Sequence, residues 1–327
     1  MKHMVNILVL VLGISFAIGS FGTAMAGSSY PEKPIKAIIP FGAGGFVDST
    51  ARILQKSLEK ILPQPVVILN VPGGGAVIGS RQGKDADPNG YTYLMQIAAM
   101  MTAQTLGVAD FGPEDFEPVA QTGRAPCMIC VRSDSRFKNL EDFVQEVKKN
   151  PNTVREAINI GAIVHFISLS FCDAAGGLKM RYVQTGGGAK RLAAILGGHA
   201  DVAILGTAEA KATYDSGDIR ILGYLGSERN RFYPKVATAG EQGYPGSFLA
   251  MNLWWFAPKG TPKAKIEVMA DALEKAMKDP EVLKSLEART TDAIFYRGED
   301  VIKSIKADKD AIDRLAKKYN ITKPKKK

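Results

Sequence analysis

Three glycine-rich turns constrain what this chain can become. Pro40-Phe41-Gly42-Ala43-Gly44-Gly45, Asn70-Val71-Pro72-Gly73-Gly74-Gly75 and Thr185-Gly186-Gly187-Gly188 each follow a short β-type run, and helical patterns follow the first and third. Glycine lets the backbone turn sharply and present several N–H groups in one direction. Strand, glycine turn and helix in succession imply α/β architecture, with the turns at the carboxyl edges of sheets, where open α/β folds bind ligands. The first two turns are not dinucleotide fingerprints, because Val47 and Ile78 stand where the last glycine would be.

The alternation runs the length of the chain. Strands are predicted over 35–40, 66–69, 91–96, 127–131, 158–160, 180–183, 202–205, 219–225 and 253–256. Ala51, Leu54, Leu58 and Ile61 recur at helical spacing, and further helices are predicted over 140–149, 166–175, 189–196 and 208–216. Three helical stretches, 262–278, 280–288 and 299–319, finish the chain, with starts at Thr261-Pro262, Asp279-Pro280 and Gly298-Glu299. At 327 residues the chain is long enough for about two domains. The pattern implies parallel sheets. With no repeat and no flexible linker, the chain is expected to cross between its two α/β units more than once.

Charge narrows the function classes. Of the +9 net charge, six units come from lysines in residues 317–327 and one from Lys2, so the body is nearly balanced. That offers no basic stripe for nucleic acid. The lysine tail reads as a solvated end, with membrane-surface attraction as the alternative. Lys2 and His3, the apolar run 5–18 and the small-x-small Ala24-Met25-Ala26 have the form of a secretory signal peptide over 1–26. The apolar run falls short of the roughly 20 residues a spanning helix needs. An exported, periplasmic protein without a lipid anchor is expected; a buried N-terminal helix is the competing reading.

Catalytic chemistry finds little support. Cys127-Met128-Ile129-Cys130 lies in a β-type run instead of at a helix start, so buried apolar cysteines are expected over a redox pair. His165 and His199 lack the partners of a metal site, and there is no nucleophile elbow or P-loop. No metal or cofactor is expected, and the chain does not read as an enzyme. The loop after the first strand is the better candidate. Its glycines and the following helix N-terminus would cradle a carboxylate or phosphate without a basic side chain. Asp48 would oppose an anion it faced and is read as capping loop amides from behind. An ordinary βα turn without a ligand is the alternative. His165, near a helix N-terminus, either reaches a ligand or makes a structural hydrogen bond.

The order of motifs resembles the Bug/TctC family, the extracytoplasmic solute receptors of tripartite tricarboxylate transporters. Tyr30-Pro31-Glu32-Lys33-Pro34-Ile35 leads into Pro40-Phe41, Gly44-Gly45, Asp48 and Ala51-Arg52. Asn70-Val71-Pro72-Gly73-Gly74-Gly75, Asp87-Pro88-Asn89-Gly90-Tyr91-Thr92 and Gly186-Gly187-Gly188 follow in order. Leu196-Gly197-Gly198-His199-Ala200-Asp201 and Trp254-Trp255-Phe256-Ala257-Pro258 complete a resemblance that covers essentially the whole chain after residue 26.

The resemblance implies a periplasmic-binding-protein fold of the Venus flytrap, type II-like kind: two α/β lobes with a ligand cleft between them. The expected division is 27–127 with 251–327 as lobe 1 and 128–250 as lobe 2. It implies a small carboxylate ligand, held by Phe41, Ala43, Gly44, Gly45, Val47 and Asp48 after the first strand and by Ala98 after the third. From the second lobe it implies Gly161, Ala162, His165, Gly186, Gly187, Asp201 and Gly206. It further implies a monomer serving a two-subunit membrane permease, with ligand sensing or, less favoured, hydrolysis as alternatives. The sequence departs from the family where ligands are met. Ala162-Ile163-Val164 replace small polar residues, Gln96-Ile97-Ala98-Ala99-Met100 replaces a Ser, Thr or Asn stretch, and Gln184-Thr185 replaces Tyr-Lys. These departures imply a ligand with more apolar surface than citrate, such as an aromatic or longer-chain acid.

Overall fold

Strand β1 (Ile35–Ile39) buries Ile35, Ala37, Ile38 and Ile39 and exposes only Lys36, the pattern of a strand covered on both faces. It feeds the first glycine turn and helix α1 (Phe46–Ile61), which buries Val47, Ala51, Leu54 and Leu58 and exposes Arg52, Lys56 and Glu59. The computed structural model describes residues 30–246 and 248–322; the expected signal peptide and residues 323–327 lie outside them. Next come β2 (Val66–Asn70), α2 (Val77–Lys84), β3 (Thr92–Gln96), α3 (Ala99–Thr105) and β4 (Phe116–Ala125). After Pro126 the chain enters a second set of elements. These are β5 (Cys127–Arg132), α4 (Leu140–Lys149), β6 (Arg155–Ile158), α5 (Ile163–Ala174), β7 (Arg181–Gln184), α6 (Gly188–Leu196), β8 (Val202–Gly206), α7 (Thr207–Asp215) and β9 (Ile219–Tyr224). It then returns through β10 (Met251–Pro258) to α8 (Lys263–Ala276), α9 (Pro280–Ala288) and α10 (Gly298–Lys318).

Two five-stranded sheets result, ordered β2-β1-β3-β10-β4 and β7-β6-β8-β5-β9. The chain therefore passes between sheets twice, after β4 and before β10. Both sheets are mixed, not parallel as expected. β1 pairs in parallel with β2 and β3, and β6 with β7 and β8, while β10 and β5 run antiparallel to their neighbours. An antiparallel strand in each sheet is what lets the chain leave one sheet and enter the other without a crossover helix. Cys127, counted with lobe 1 from the sequence, is the first residue of β5 in the second sheet.

The first sheet centres on Trp254, Trp255, Phe256 and Phe116, all essentially inaccessible. The indole N–H of Trp254 donates to Gln121 Oε1 at 3.1 Å and that of Trp255 to Thr122 Oγ1 at 3.1 Å, so both rings are buried with their polar ends satisfied. The second core gathers Met128, Cys130, Ile195, Leu205 and Tyr233. Cys127, Cys130 and Cys172 are free and buried. Burial pushes the Cys127 thiol up to about 12 and Cys130 further, which leaves them protonated and unreactive. C-terminal α8 and α9 pack on α1, whereas α10 packs on β4, α3 and α5.

Candidate functional site

The first glycine turn is fixed from behind. Asp48, in the first turn of α1, is 1% exposed. Its Oδ2 accepts from the Gly44 N–H at 2.8 Å, its Oδ1 from Asn70 Nδ2 at 2.8 Å, and Arg52 Nε reaches both oxygens. Asn70 Nδ2 also donates to Phe41 O at 3.1 Å. Burial opposes the charge on Asp48, but the Arg52, Gly44 and Asn70 bonds outweigh it and hold the carboxyl below its ordinary range. Asp48 thus anchors the loop, as its position in the sequence suggested. Two expectations change. Val47 is buried in the core, and the Gly44 N–H is taken by Asp48, so Gly44, at φ +79°, contributes the bend and not a spare donor.

The second turn follows β2. Gly73, Gly74 and Gly75 all have positive φ, and so does Ala76 at +79°, a conformation costing a non-glycine residue about 1–2 kcal/mol. Facing these turns is the segment after β6. The Ala162 N–H donates to Asn159 O at 3.1 Å, and the Ile160 N–H to Gln184 Oε1 at 2.7 Å. Gln184 Nε2 donates to Asn159 Oδ1 at 3.0 Å, which closes the turn. Helix α5 starts at Ile163, three residues before its predicted start, so its first N–H groups stand at the end of this turn.

These segments surround one cavity of about 440 Å³. Residues 40–42, 72–76 and parts of 97–108 line it from the first sheet, and 159–163 from the second. That volume lies within the range of small-molecule sites. Among the described residues no charged side chain lines it, and only Thr102 and Asn159 bring polar ones. The two walls approach closely: a Cβ on Gly161 would lie 3.0 Å from Leu106 Cδ1. A larger cavity, about 780 Å³, lies elsewhere on the first sheet among Lys33, Lys36, Asp85 and Asp87. It lacks the glycine turns and is lined by charged surface side chains.

Of the residues expected at the ligand, Phe41, Gly161 and Ala162 line the cavity. Ala43 and Gly45 continue the exposed loop beside it, and Ala98 is buried between the lining residues Ile97 and Ala99. The others sit apart. His165 is 2% exposed, accepts the Gly161 N–H on Nδ1 at 3.3 Å and packs edge-on against Tyr182. Burial alone pulls its pKa down to about 4, so it is neutral and makes the structural hydrogen bond. Asp201 lies at the start of β8 and binds Arg155 through Nη2 at 2.9 Å and Nε at 3.2 Å, away from the cavity and at the opposite strand end from Gly206. Gly187 is the N-cap of α6, and Gly186 and Gly206 are joined by a pair absent from the sequence reading. Buried Arg191 donates to Ile204 O, Gly186 O and Glu209, while Glu209 accepts the Gly206 N–H at 2.9 Å. Eighteen residues separate Arg191 from Glu209, and no local spacing signals the pair.

Among the described residues no group of His, Cys, Asp and Glu is placed to hold a metal, and no helix is long and apolar enough to cross a membrane. Two mixed α/β sheets, double crossing of the chain and a cavity between the sheets' glycine turns define a two-lobed periplasmic-binding-protein fold. A solved structure of the periplasmic binding protein BugD has this fold: it is 28% identical, covers 90% of this chain and 99% of its own, and superposes with a TM-score of 0.77. R. palustris Rpa4515, solved with adipate, shares the fold at 21% identity and a TM-score of 0.78, covering 88% of this chain and 97% of its own. Protein BugT of Bordetella pertussis is 29% identical over 290 residues, 86% of this chain and 88% of BugT. The model of the tripartite tricarboxylate transporter family receptor, TctC, matches residues 50–321, and the chain belongs to that family of solute-binding receptors.

Proposed function

We propose that this chain is a periplasmic receptor that captures a small organic carboxylate in the 440 Å³ cavity and delivers it to a two-subunit membrane permease of the tripartite tricarboxylate type. The observation that carries the reading is a cavity walled by the glycine turns of the first sheet and by the turn and helix start 159–163 of the second, with no charged side chain among the described residues of its lining. Backbone N–H groups and helix N-termini accept a carboxylate without a basic residue. The adipate held by Rpa4515 supports the same ligand class. Export through residues 1–26 and a division into lobes of 27–127 with 251–327 and of 128–250, with Cys127 moved to the second lobe, belong to this reading. A ligand bridging both walls interacts more strongly when they close, so binding favours the closed form by that difference. The apolar lining supports an acid less polar than citrate.

Native mass spectrometry of freshly purified protein, followed by thermal-shift screening against citrate, alkyl and aromatic acids, tests the proposal. A carried-through organic acid or a carboxylate-dependent rise in melting temperature is expected. Folded protein that responds to no carboxylate would overturn it.

A further inference from the structure

The cavity has few polar side chains among its described residues. Thr102 Oγ1, on α3 and buried, donates to Ala99 O at 3.0 Å. Asn159 Oδ1 accepts from Gln184 Nε2, which leaves a second lone pair and the amide N–H groups of that side chain. The remaining side chains are apolar and come from both sheets: Leu106 and Val108 after α3, and Ile160 and Ile163 after β6. Val108 and Ile160 are 55% and 52% exposed, among the few large apolar side chains of the described residues that face water. Two such residues, from opposite sides of one cavity, form an apolar wall.

A buried hydroxyl must replace water on both its donor and acceptor sides. The faces of Leu106, Val108 and Ile160 offer it no partner, and Thr102 and Asn159 are the only polar side chains among the described lining residues. Resting on the carboxylate reading above and deepening it, we infer that this receptor discriminates against hydroxylated acids. Leu106, Val108 and Ile160 are its specificity-determining residues, and they take the unsubstituted alkyl or aryl body of the ligand. A hydrophobic site penalises an added hydroxyl by roughly tenfold to a hundredfold.

Isothermal titration calorimetry with three matched pairs tests this: succinate and malate, glutarate and 2-hydroxyglutarate, phenylacetate and mandelate. The member without the hydroxyl is expected to bind at least about tenfold tighter in each pair that binds. The double variant Val108→Thr, Ile160→Ser, at positions exposed enough to leave folding intact, is expected to bring that ratio near one. Hydroxylated acids binding equally well or better would overturn the inference and leave the carboxylate reading standing. A ratio unchanged in the double variant would overturn the role of these residues. Failure of all six acids to bind protein shown to be folded by circular dichroism would overturn both.

Discussion

Asp48 and Glu156 show how differently two buried carboxylates behave. Asp48 is ionised because Arg52, Asn70 and the Gly44 N–H surround it, and its work is to hold a loop open. A bulkier residue at Gly45 would sit 3.3 Å from Gly42 O at its first carbon, inside the loop Asp48 has fixed. Gly45→Val is therefore expected to weaken carboxylate binding at least tenfold, by calorimetry, with little change in melting temperature. Glu156, on β6, has one donor, Ser168 Oγ at 2.7 Å, and burial pushes its pKa up to about 7. A raised folded pKa contributes stability that is complete below the unfolded value near 4.5 and lost as pH rises through 7. The loss amounts to about 3 kcal/mol at most. His165 works in the opposite sense: its contribution is present above about 6.5 and is lost as pH falls toward 4. Urea unfolding at pH 5 and pH 8 should therefore show Glu156→Gln gaining on the natural protein at the higher pH; equal differences at both would contradict the assignment. The role of Asp48 was legible because its carboxylate caps within its own helix turn. That of Arg191 was not, because its partners come from two other elements.

At the scale of elements, periodic apolar runs announced most strands and helices, and the failures have local causes. β4 escaped notice because Pro118 and Gly123 interrupt its pattern, and a proline is tolerated there because β4 is the edge strand. The strand expected over 158–160 is β6, Arg155–Ile158, since Asn159 to Gly161 form the turn and Gly161 has φ +83°. α2 was missed because Gly79 and Gly83 within it weaken the helical pattern. Gly79 has a packing reason: a Cβ there would lie 2.5 Å from Val71 O and 2.9 Å from Pro40. Helix propensity alone would favour Gly79→Ala by about 1 kcal/mol. The overlap opposes it by about 1–3 kcal/mol, so a lower melting temperature is expected. Because the displaced atoms belong to the loops at the cavity, weaker ligand binding should accompany it. A stabilised variant would show that the contact relaxes freely.

For the whole molecule, α10 is the long-range tie. It packs on β4 and α3 of the first sheet, yet Arg314 and Lys318 at its far end both bind Asp173 on α5, beneath the second. Arg314 Nη1 stands 2.6 Å from Asp173 Oδ2. Both bases are half-exposed, so the pairs contribute at most about 1 kcal/mol to stability. Their consequence is positional, since they link elements that move apart if the lobes open. Asp173→Ala is expected to leave the melting temperature nearly unchanged while enlarging the ligand-free radius of gyration in small-angle scattering and lowering affinity a few-fold. An unaltered radius would show that the tie does not restrain opening. This link joins residues about 140 apart, and nothing in the local sequence pattern announced it.

A lining whose described residues include no lysine or arginine has one more outcome. Receptors that draw in anions with fixed positive charge slow down as electrolyte is added, because mobile ions mask the attraction. Peptide dipoles act only at short range, so this receptor should load its cargo at much the same speed in dilute or salty surroundings. Stopped-flow association rates measured from low to high sodium chloride would reveal it.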